Sequence, residues 1–221
     1  MRLTTWRTHT THLCLMHLVR ALLLVWFFVL DAPVVIAQRP QYRIHATLDT
    51  AVHMVSGKID ITYTNHGGIA LDKLGIHLWP NAYSRKESAL AKQMVNQRNF
   101  ELQKARPDDM GGLTGLRFTV ADQPIELKTD PGFIDIAWLL LDSPLQPGDS
   151  IRISSPFQLK IPQSFSRMGH AGNSYQLTQW YPHIGVFDQD GWHMMSYLDQ
   201  GEFFNDFADY NVHVEVPTGY T

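Results

Sequence analysis

The sequence has 221 residues, of which 44% are hydrophobic and 18% charged, with a net charge of −3 at neutral pH. This length suits one domain or at most two, and the charge balance gives no electrostatic reason to expect nucleic-acid binding. The 11% of aromatic residues, together with 12 prolines and 15 glycines, favours a loop-rich β protein over a helical bundle.

Residues 1–37 have the pattern of a secretory signal. Arginines precede the apolar run "ALLLVWFFVL" at 21–30, and small residues at Val35 and Ala37 predict cleavage before Gln38. The run is too short for a bilayer, which needs about 20 apolar residues, although an uncleaved membrane anchor is the alternative. We therefore expect an exported protein that is periplasmic, on the outer surface or extracellular. The one cysteine, Cys14, lies in this segment, so residues 38–221 can form no disulfide.

Beyond the signal, hydrophobic and polar residues alternate in short runs, which predicts strands with one buried face. The predicted strands are Tyr42–Leu48, Ile59–Tyr63, Leu74–Leu78, Leu113–Val120, Ile125–Lys128, Ile134–Leu141, Ile151–Ile161 and a last strand, "YNVHVEVP", with Val212, Val214 and Val216 on one face. The two prolines of "DSPLQPGDS" predict a loop between the strands at 134–141 and 151–161, because proline cannot donate to a ladder.

The segment Ser84–Ala105 breaks this rhythm and predicts a short helix that fades into a loop. Ser84 and Glu87 have the spacing of a capping box, and Leu90 and Met94 fit one apolar face. With seven or more strands and one helical excursion, we expect an all-β, antiparallel, saddle-shaped or sandwich-like domain with one short helical insertion. Residues 38–221 form this single domain, because no second hydrophobic core is evident.

The sequence contains no recognisable catalytic motif, so we predict no catalytic residue. It lacks the H-E-x-x-H of zinc hydrolases, the G-x-S-x-G of serine hydrolases and any phosphate-binding loop. The acids Glu202, Asp206 and Asp209 are interpreted as a solvated loop rather than a general acid–base pair.

A metal site is not predicted either, although one group of residues has side chains of the type that bind metals. His183, Asp188, Asp190 and His193 could be drawn together, but their spacing fits no ligand geometry, and "DQDG" is ordinary turn chemistry in which Gly191 tolerates positive φ. An enzyme built around His183 and His193 therefore remains the weakest hypothesis.

The stretch "YQLTQWYPHIGVFDQDGWHMM" at 175–195 is dense in aromatic residues. Trp180, Tyr181, Phe187 and Trp192 suit packing in a core or against another domain better than direct ligand contact, because each buries about 150–250 Å². If another domain packs here, the chain alone should expose an apolar patch within residues 180–207.

Several segments taken in order resemble a known family. They are "YRIHATLDTAVHMVSGKIDITYTN", "GIHLWPNAYS", "LDSPLQPGDSIRI", "FSRMGH" and "QWYPHIGVFDQDGWH". Together they resemble the N-terminal β domain of the aminopeptidase N (membrane alanyl aminopeptidase) family of zinc metallopeptidases, in particular its secreted or periplasmic bacterial branch. The resemblance extends from about Tyr42 to Tyr220.

The resemblance implies a domain that borders the peptide-binding cleft of a zinc-bearing catalytic domain absent from this chain. That partner would supply the zinc and the catalytic glutamate, so the chain alone should bind no cofactor and be inactive. Thr178-Gln179 matches a pair whose glutamine shapes the pocket for the substrate's first side chain. Tyr181 stands where many relatives have an acid or amide that holds the amine of the peptide N-terminus.

The implied partners are thus this catalytic domain and a peptide N-terminus, with no nucleic acid, and with a membrane only if the signal segment stays uncleaved. The implied substrate-binding residues are Gln179 and Tyr181. The alternative is a standalone exported β-sandwich module that binds or scaffolds other proteins without peptidase activity.

Overall fold

The computed structural model describes residues 39–220, so the predicted signal segment at 1–37 lies outside the described residues. The described part contains the following strands: β1 (Gln41–Asp49), β2 (Met54–Thr64), β3 (Leu71–His77), β4 (Gly112–Thr114), β5 (Thr119–Val120), β6 (Gln123–Pro124), β7 (Glu126–Thr129), β8 (Ile136–Leu145), β9 (Ser150–Lys160), β10 (Gly169–Ala171), β11 (Ser174–Gln176), β12 (His183–Ile184), β13 (Val186–Asp188), β14 (Gly191–His193) and β15 (Asp209–Glu215). Its helices are α1 (Ala89–Asn96), α2 (Glu101–Lys104) and the 3-10 segments Trp79–Tyr83 and Pro107–Asp109.

Two sheets carry the fold. The larger has the order β15-β1-β2-β9-β5-β6, with β4 also paired to β9, and the smaller has the order β12-β3-β8-β7. Two separate hairpins, β10–β11 and β13–β14, complete the strands of the described residues. The pairing is antiparallel except between β1 and β15, which run parallel. The predicted all-β antiparallel class with one short helical insertion is therefore confirmed.

The core is formed by strands in which buried and exposed residues alternate. Strand β1 alternates strictly between exposed and buried residues, with Tyr42, Ile44, Ala46 and Leu48 buried. These side chains belong to one buried cluster that also takes residues from the other long strands, among them Ile59, Ile61, Leu74, Ile76, Leu139, Ile153 and Phe157. Because the two sheets share this cluster, their inward faces are specified by the sequence pattern.

The helix begins four residues later than predicted. Ser88, not Ser84, is the N-cap of α1, and its Oγ accepts a hydrogen bond from the N–H of Ala91 at 3.1 Å. Ser84 is instead the C-cap of the preceding 3-10 segment, where its Oγ donates to the carbonyl of Asn81 at 2.6 Å. The predicted capping box is therefore wrong, because a local hydrogen bond already uses that hydroxyl. Leu90 and Met94 are buried, as their spacing predicted.

Two strand boundaries also differ from the prediction. The segment 113–120 is split into β4 and β5, and Gly115 between them has a φ of +70° that a strand does not allow. Strand β8 continues through Pro144 to Leu145, which shortens the predicted loop. Strand β7 pairs with β8 only as far as Leu140, so this proline lies where β8 has no neighbour on that side.

Strand β15 has an open apolar face. Val212, Val214 and Val216 share one face as predicted, but they are 47%, 38% and 48% exposed. Ile44 of β1 lies opposite Val212 and is buried. The valines therefore lie on the same face of the sheet as the core, but at a place where this face is exposed. Phe207, just before the strand, is 77% exposed.

Candidate functional site

The segment Thr178–Tyr181 forms a bend between β11 and β12, and all four of its residues are half-buried. The Thr178 hydroxyl donates to the carbonyl of Arg167 at 3.0 Å, which fixes the start of the bend. Gln179 has a φ of +48°, in the left-handed region that residues other than glycine rarely adopt. The bend is thus accessible from the surface and holds its central residue in a costly conformation.

The Gln179 side chain has an unused acceptor. Its Oε1 is buried and has no hydrogen-bond partner among residues 39–220. A buried polar atom without a partner costs about 1–3 kcal/mol, so such atoms are uncommon and call for an explanation. Because the oxygen itself is buried, an incoming N–H donor would reach it only after the half-buried side chain turns its amide outward.

Tyr181 connects the bend to the sheet edge rather than standing free. Its ring lies 5.7 Å from that of Tyr42 and 6.1 Å from that of Tyr210, and it meets Trp180 edge-on at 5.5 Å. Burial, with a smaller effect from the hydrogen bond to Tyr210, raises the pKa of Tyr181 well above its usual range. The phenol therefore stays neutral and offers no negative charge to an amine.

Arg167 holds a second loop next to the bend. Its Nε donates to the carbonyl of Asp199 and its Nη2 to that of Gly201, each at 3.0 Å. The guanidinium also lies 5.3 Å from the centre of the Phe203 ring. Arg167 belongs to the quoted "FSRMGH" segment, but sequence reasoning assigned it no role, because its partners lie more than thirty residues further along the chain.

Buried polar groups fasten the segment 195–197 beneath this loop. The N–H of Met195 donates to His77 Nε2 at 3.1 Å, while Trp79 Nε1 donates to the Met195 carbonyl at 2.9 Å. Asp135 accepts from the N–H of Tyr197 at 2.6 Å and from the Ser196 hydroxyl at 3.1 Å. The sequence alone assigned no role to the side chains of His77, Trp79 and Asp135.

Their burial explains their protonation. Burial, with a smaller contribution from His183, lowers the pKa of His77 to about 3, which keeps its ring neutral and able to accept. Burial raises the pKa of the Asp135 carboxyl, and its hydrogen bonds from Tyr197 and Ser196 oppose the rise.

The four residues considered for a metal site are not assembled into one. His183 is buried in a ring stack between Tyr42 and Trp79, and burial lowers its pKa to about 4. His193 Nε2 and Asp188 Oδ2 are 2.8 Å apart in the β13–β14 hairpin, whose turn contains Gly191 at a φ of +102°. Within residues 39–220, no group of three or more His, Cys, Asp or Glu side chains is placed to hold a metal ion.

The remaining aromatic residues of the stretch pack against the core, as predicted. Trp180 lies 5.8 Å from Phe157, and Trp192 lies 5.2 Å from Phe187 and 6.3 Å from Trp138. Within the predicted range 180–207 the exposed large apolar residues are Phe204 and Phe207, and the open face of β15 follows them in the chain. The acids Glu202 and Asp206 are exposed in a loop, as interpreted, whereas Asp209 is exposed but is the first residue of β15. No helix within 39–220 is long and apolar enough to cross a bilayer.

Structural neighbours of this chain include M1 zinc metallopeptidases. One is a mutant from Deinococcus radiodurans bound to a Tyr-Ser-Ala substrate, with 14% identity and a TM-score of 0.46, and the match covers 81% of this chain and 32% of that protein. Another is a two-domain M1 zinc metallopeptidase mutant bound to L-tryptophan, with 15% identity, a TM-score of 0.44 and coverage of 81% and 33%. A third, from Deinococcus radiodurans, has 13% identity, a TM-score of 0.43 and coverage of 82% and 32%.

The chain thus spans about a third of the length of these proteins. No protein-family profile and no curated protein matches the sequence.

Proposed function

We propose that this chain is the exported β domain of an aminopeptidase-N-type zinc metallopeptidase, and that it borders the peptide-binding cleft of a zinc-bearing catalytic domain. The ordered motifs from Tyr42 to Tyr220 support the family, and the all-β fold agrees with the domain that they imply. Zinc, the catalytic glutamate and the peptide chemistry belong to the partner domain in this proposal.

The observation that carries the site is the unused oxygen of Gln179. It lies in a surface-accessible bend, on a backbone of left-handed conformation, with no partner of its own among the described residues. The N-terminal amine or first peptide N–H of a substrate would supply the missing donor, and the glutamine amide itself adds no charge beside a zinc ion. Tyr181 contributes by fixing the bend against Tyr42 and Tyr210 rather than by binding the amine.

The first test is to translate the DNA downstream of codon 221. A reading frame with H-E-x-x-H within the next few hundred bases would supply the catalytic partner for a combined protein. In that protein, Gln179→Ala should lower kcat/KM for an aminoacyl-anilide about tenfold, or about 1.4 kcal/mol, because a hydrogen bond to substrate is lost. Gln176→Ala, at an exposed position on β11, is the matched control. Equal effects of the two substitutions would remove Gln179 from the site.

The isolated chain gives a second test. It should hydrolyse no aminoacyl-anilide, since no catalytic group is proposed within it. Turnover by the purified chain that a chelator abolishes would contradict the noncatalytic role.

The alternative function, a standalone binding module, is favoured by one observation. Strand β15 ends the larger sheet and presents Val212 and Val214 beside an edge that pairs with no other described strand. Such an edge can receive a strand from another protein. The absence of a downstream peptidase frame, together with selective binding of an extended peptide to this edge, would favour the module.

A further inference from the structure

Two histidine rings join the β10–β11 hairpin to the turn between β1 and β2. His53 lies at the end of that turn and His170 on β10, and their rings are stacked with centroids 3.7 Å apart and planes 11° apart. Tyr175 on β11 adds a second link, because its hydroxyl lies 2.7 Å from His53 Nδ1. The hairpin ends at Gln176, only two residues before the bend at Thr178.

The backbone holds both rings in place. His53 has a φ of +50°, and its carbonyl accepts from the N–H of Ile161 at 2.8 Å. On the other side, the His170 N–H donates to the Pro162 carbonyl at 2.9 Å, while the His170 carbonyl accepts from Ser164 at 3.1 Å. A non-glycine residue in the left-handed region persists where its surroundings determine it, so the stacked geometry is built into the fold.

The groups around the stack favour its neutral form. Burial, followed by the charge that His53 would carry, lowers the pKa of His170. A backbone hydrogen bond at Gly172 and the charge of Asp109 oppose this effect, but the Asp109 carboxylate is already paired with Arg106 at 3.0 Å and accepts from Gln163 at 2.9 Å. The other titratable groups that face the pair act through Tyr175; they are Asp49 and Tyr220. Lys160 is the further cation near Asp109.

We propose that His53 and His170 form a protonation-sensitive latch, which holds the β10–β11 hairpin against the β1–β2 turn while the His170 ring is neutral and releases it as that ring takes up a proton in acid. A protonated His170 ring would lose solvation in the stacked position, whereas a neutral ring stacks without that penalty. The latch is a property of this domain alone and does not depend on the proposed function.

The direction follows from proton linkage. In a released hairpin His170 regains water, and its pKa returns toward the ordinary value of about 6.5. Below that value the released form binds more protons than the latched form, so acid favours release. With one excess proton, the latching equilibrium weakens by up to about tenfold per pH unit until the pKa of the latched form is reached.

Hydrogen–deuterium exchange of the full chain, corrected for intrinsic rates, tests the latch at pH 7.5 and 5.5. The protection of amides 169–176 should fall by up to about tenfold, while that of β2 and β9 falls less. His170→Phe keeps a stacking ring that cannot titrate, so its hairpin protection should stay within about threefold across the same range. A constant protection in the wild type, or an equal fall in His170→Phe, would overturn the proposal.

A second variant guards against a folding defect in the first. His53→Asn tolerates the left-handed backbone and removes both the stack and the contact with Tyr175. Its hairpin should be less protected than the wild type at pH 7.5 and should show little further change at pH 5.5. Wild-type protection with a wild-type fall in this variant would also refute the latch.

Discussion

Acidification should destabilise this domain through two buried histidines that the latch does not involve. Burial lowers the pKa of His77 to about 3 and that of His183 to about 4. In the unfolded chain both return to about 6.5. Between these pKa values the two histidines bind protons in the unfolded state but not in the folded state. Their contribution to the free energy of unfolding is therefore fully present above pH 6.5 and is lost as the pH falls toward 3–4.

The size of the loss follows from the distance to the unfolded pKa. At pH 5 each histidine of the unfolded chain lies about 1.5 units below its pKa, and one unit is worth 1.36 kcal/mol, so each contributes about 2 kcal/mol. Together His77 and His183 should remove about 4 kcal/mol between pH 7.5 and pH 5, a large part of the 5–15 kcal/mol of an ordinary domain. At a urea m-value of about 2 kcal/mol per M, the midpoint should fall by about 2 M.

Urea denaturation followed by tryptophan fluorescence at pH 7.5, 6.5 and 5 measures this loss, in a His170→Phe background that removes the latch from the comparison. His77→Gln places an amide oxygen where Nε2 accepts from Met195, so it should halve the fall to about 2 kcal/mol. His213→Gln, on the exposed strand β15, is the matched control and should leave the fall unchanged. A fall below about 1 kcal/mol, or a full fall in His77→Gln, would refute the reasoning.

Three further substitutions test other parts of the structure. Asp135→Ala leaves the Tyr197 N–H without an acceptor and should lower the free energy of unfolding by about 3 kcal/mol, or the Tm by about 6–12 °C in calorimetry. Asp135→Asn can still accept this hydrogen bond and should lower the free energy of unfolding by less than about 1 kcal/mol. Equal losses of stability in the two variants would contradict this account. Gly57→Ala brings a Cβ to 2.5 Å from a backbone carbonyl oxygen and should cost about 1–3 kcal/mol in urea, while Gly68→Ala, in open space, should be nearly neutral. Replacing Val212 and Val214 by threonine should reduce hydrophobic-dye binding and self-association in light scattering without lowering the urea midpoint, and unchanged dye binding would show that the β15 face is not responsible.

The long strands could be predicted because their physics is local. In β1 every second residue is buried, so the period of the sequence is the period of the structure. The start of α1 could not be predicted in the same way, because Ser84 and Ser88 are both plausible caps and only the 3-10 segment at Trp79–Tyr83 decides between them. The exposure of the apolar face of β15 could not be predicted either. A hydrophobic pattern shows which residues share a face of a strand but not whether another layer covers that face.

In the candidate site, too, only the residues that are close together in the sequence could be predicted. A motif placed Gln179 and Tyr181 in one short segment, and the structure puts both in one bend. The groups that support them join positions distant in sequence: His77 binds Met195 across 118 residues, and Asp135 binds Tyr197 across 62. No periodicity or spacing rule connects such positions, because their proximity exists only once the sheets have packed.

The bend and the open strand are coupled through a small group of tyrosines. Tyr210 of β15 stacks on Tyr42 of β1 at 5.0 Å, and Tyr181 of the bend packs against both rings. Among the described strands, β15 pairs only with β1, and Tyr210 lies on the same face of β15 as Val212 and Val214. We therefore expect a partner that covers this face of β15 to affect the bend through Tyr181, which lies two residues from Gln179.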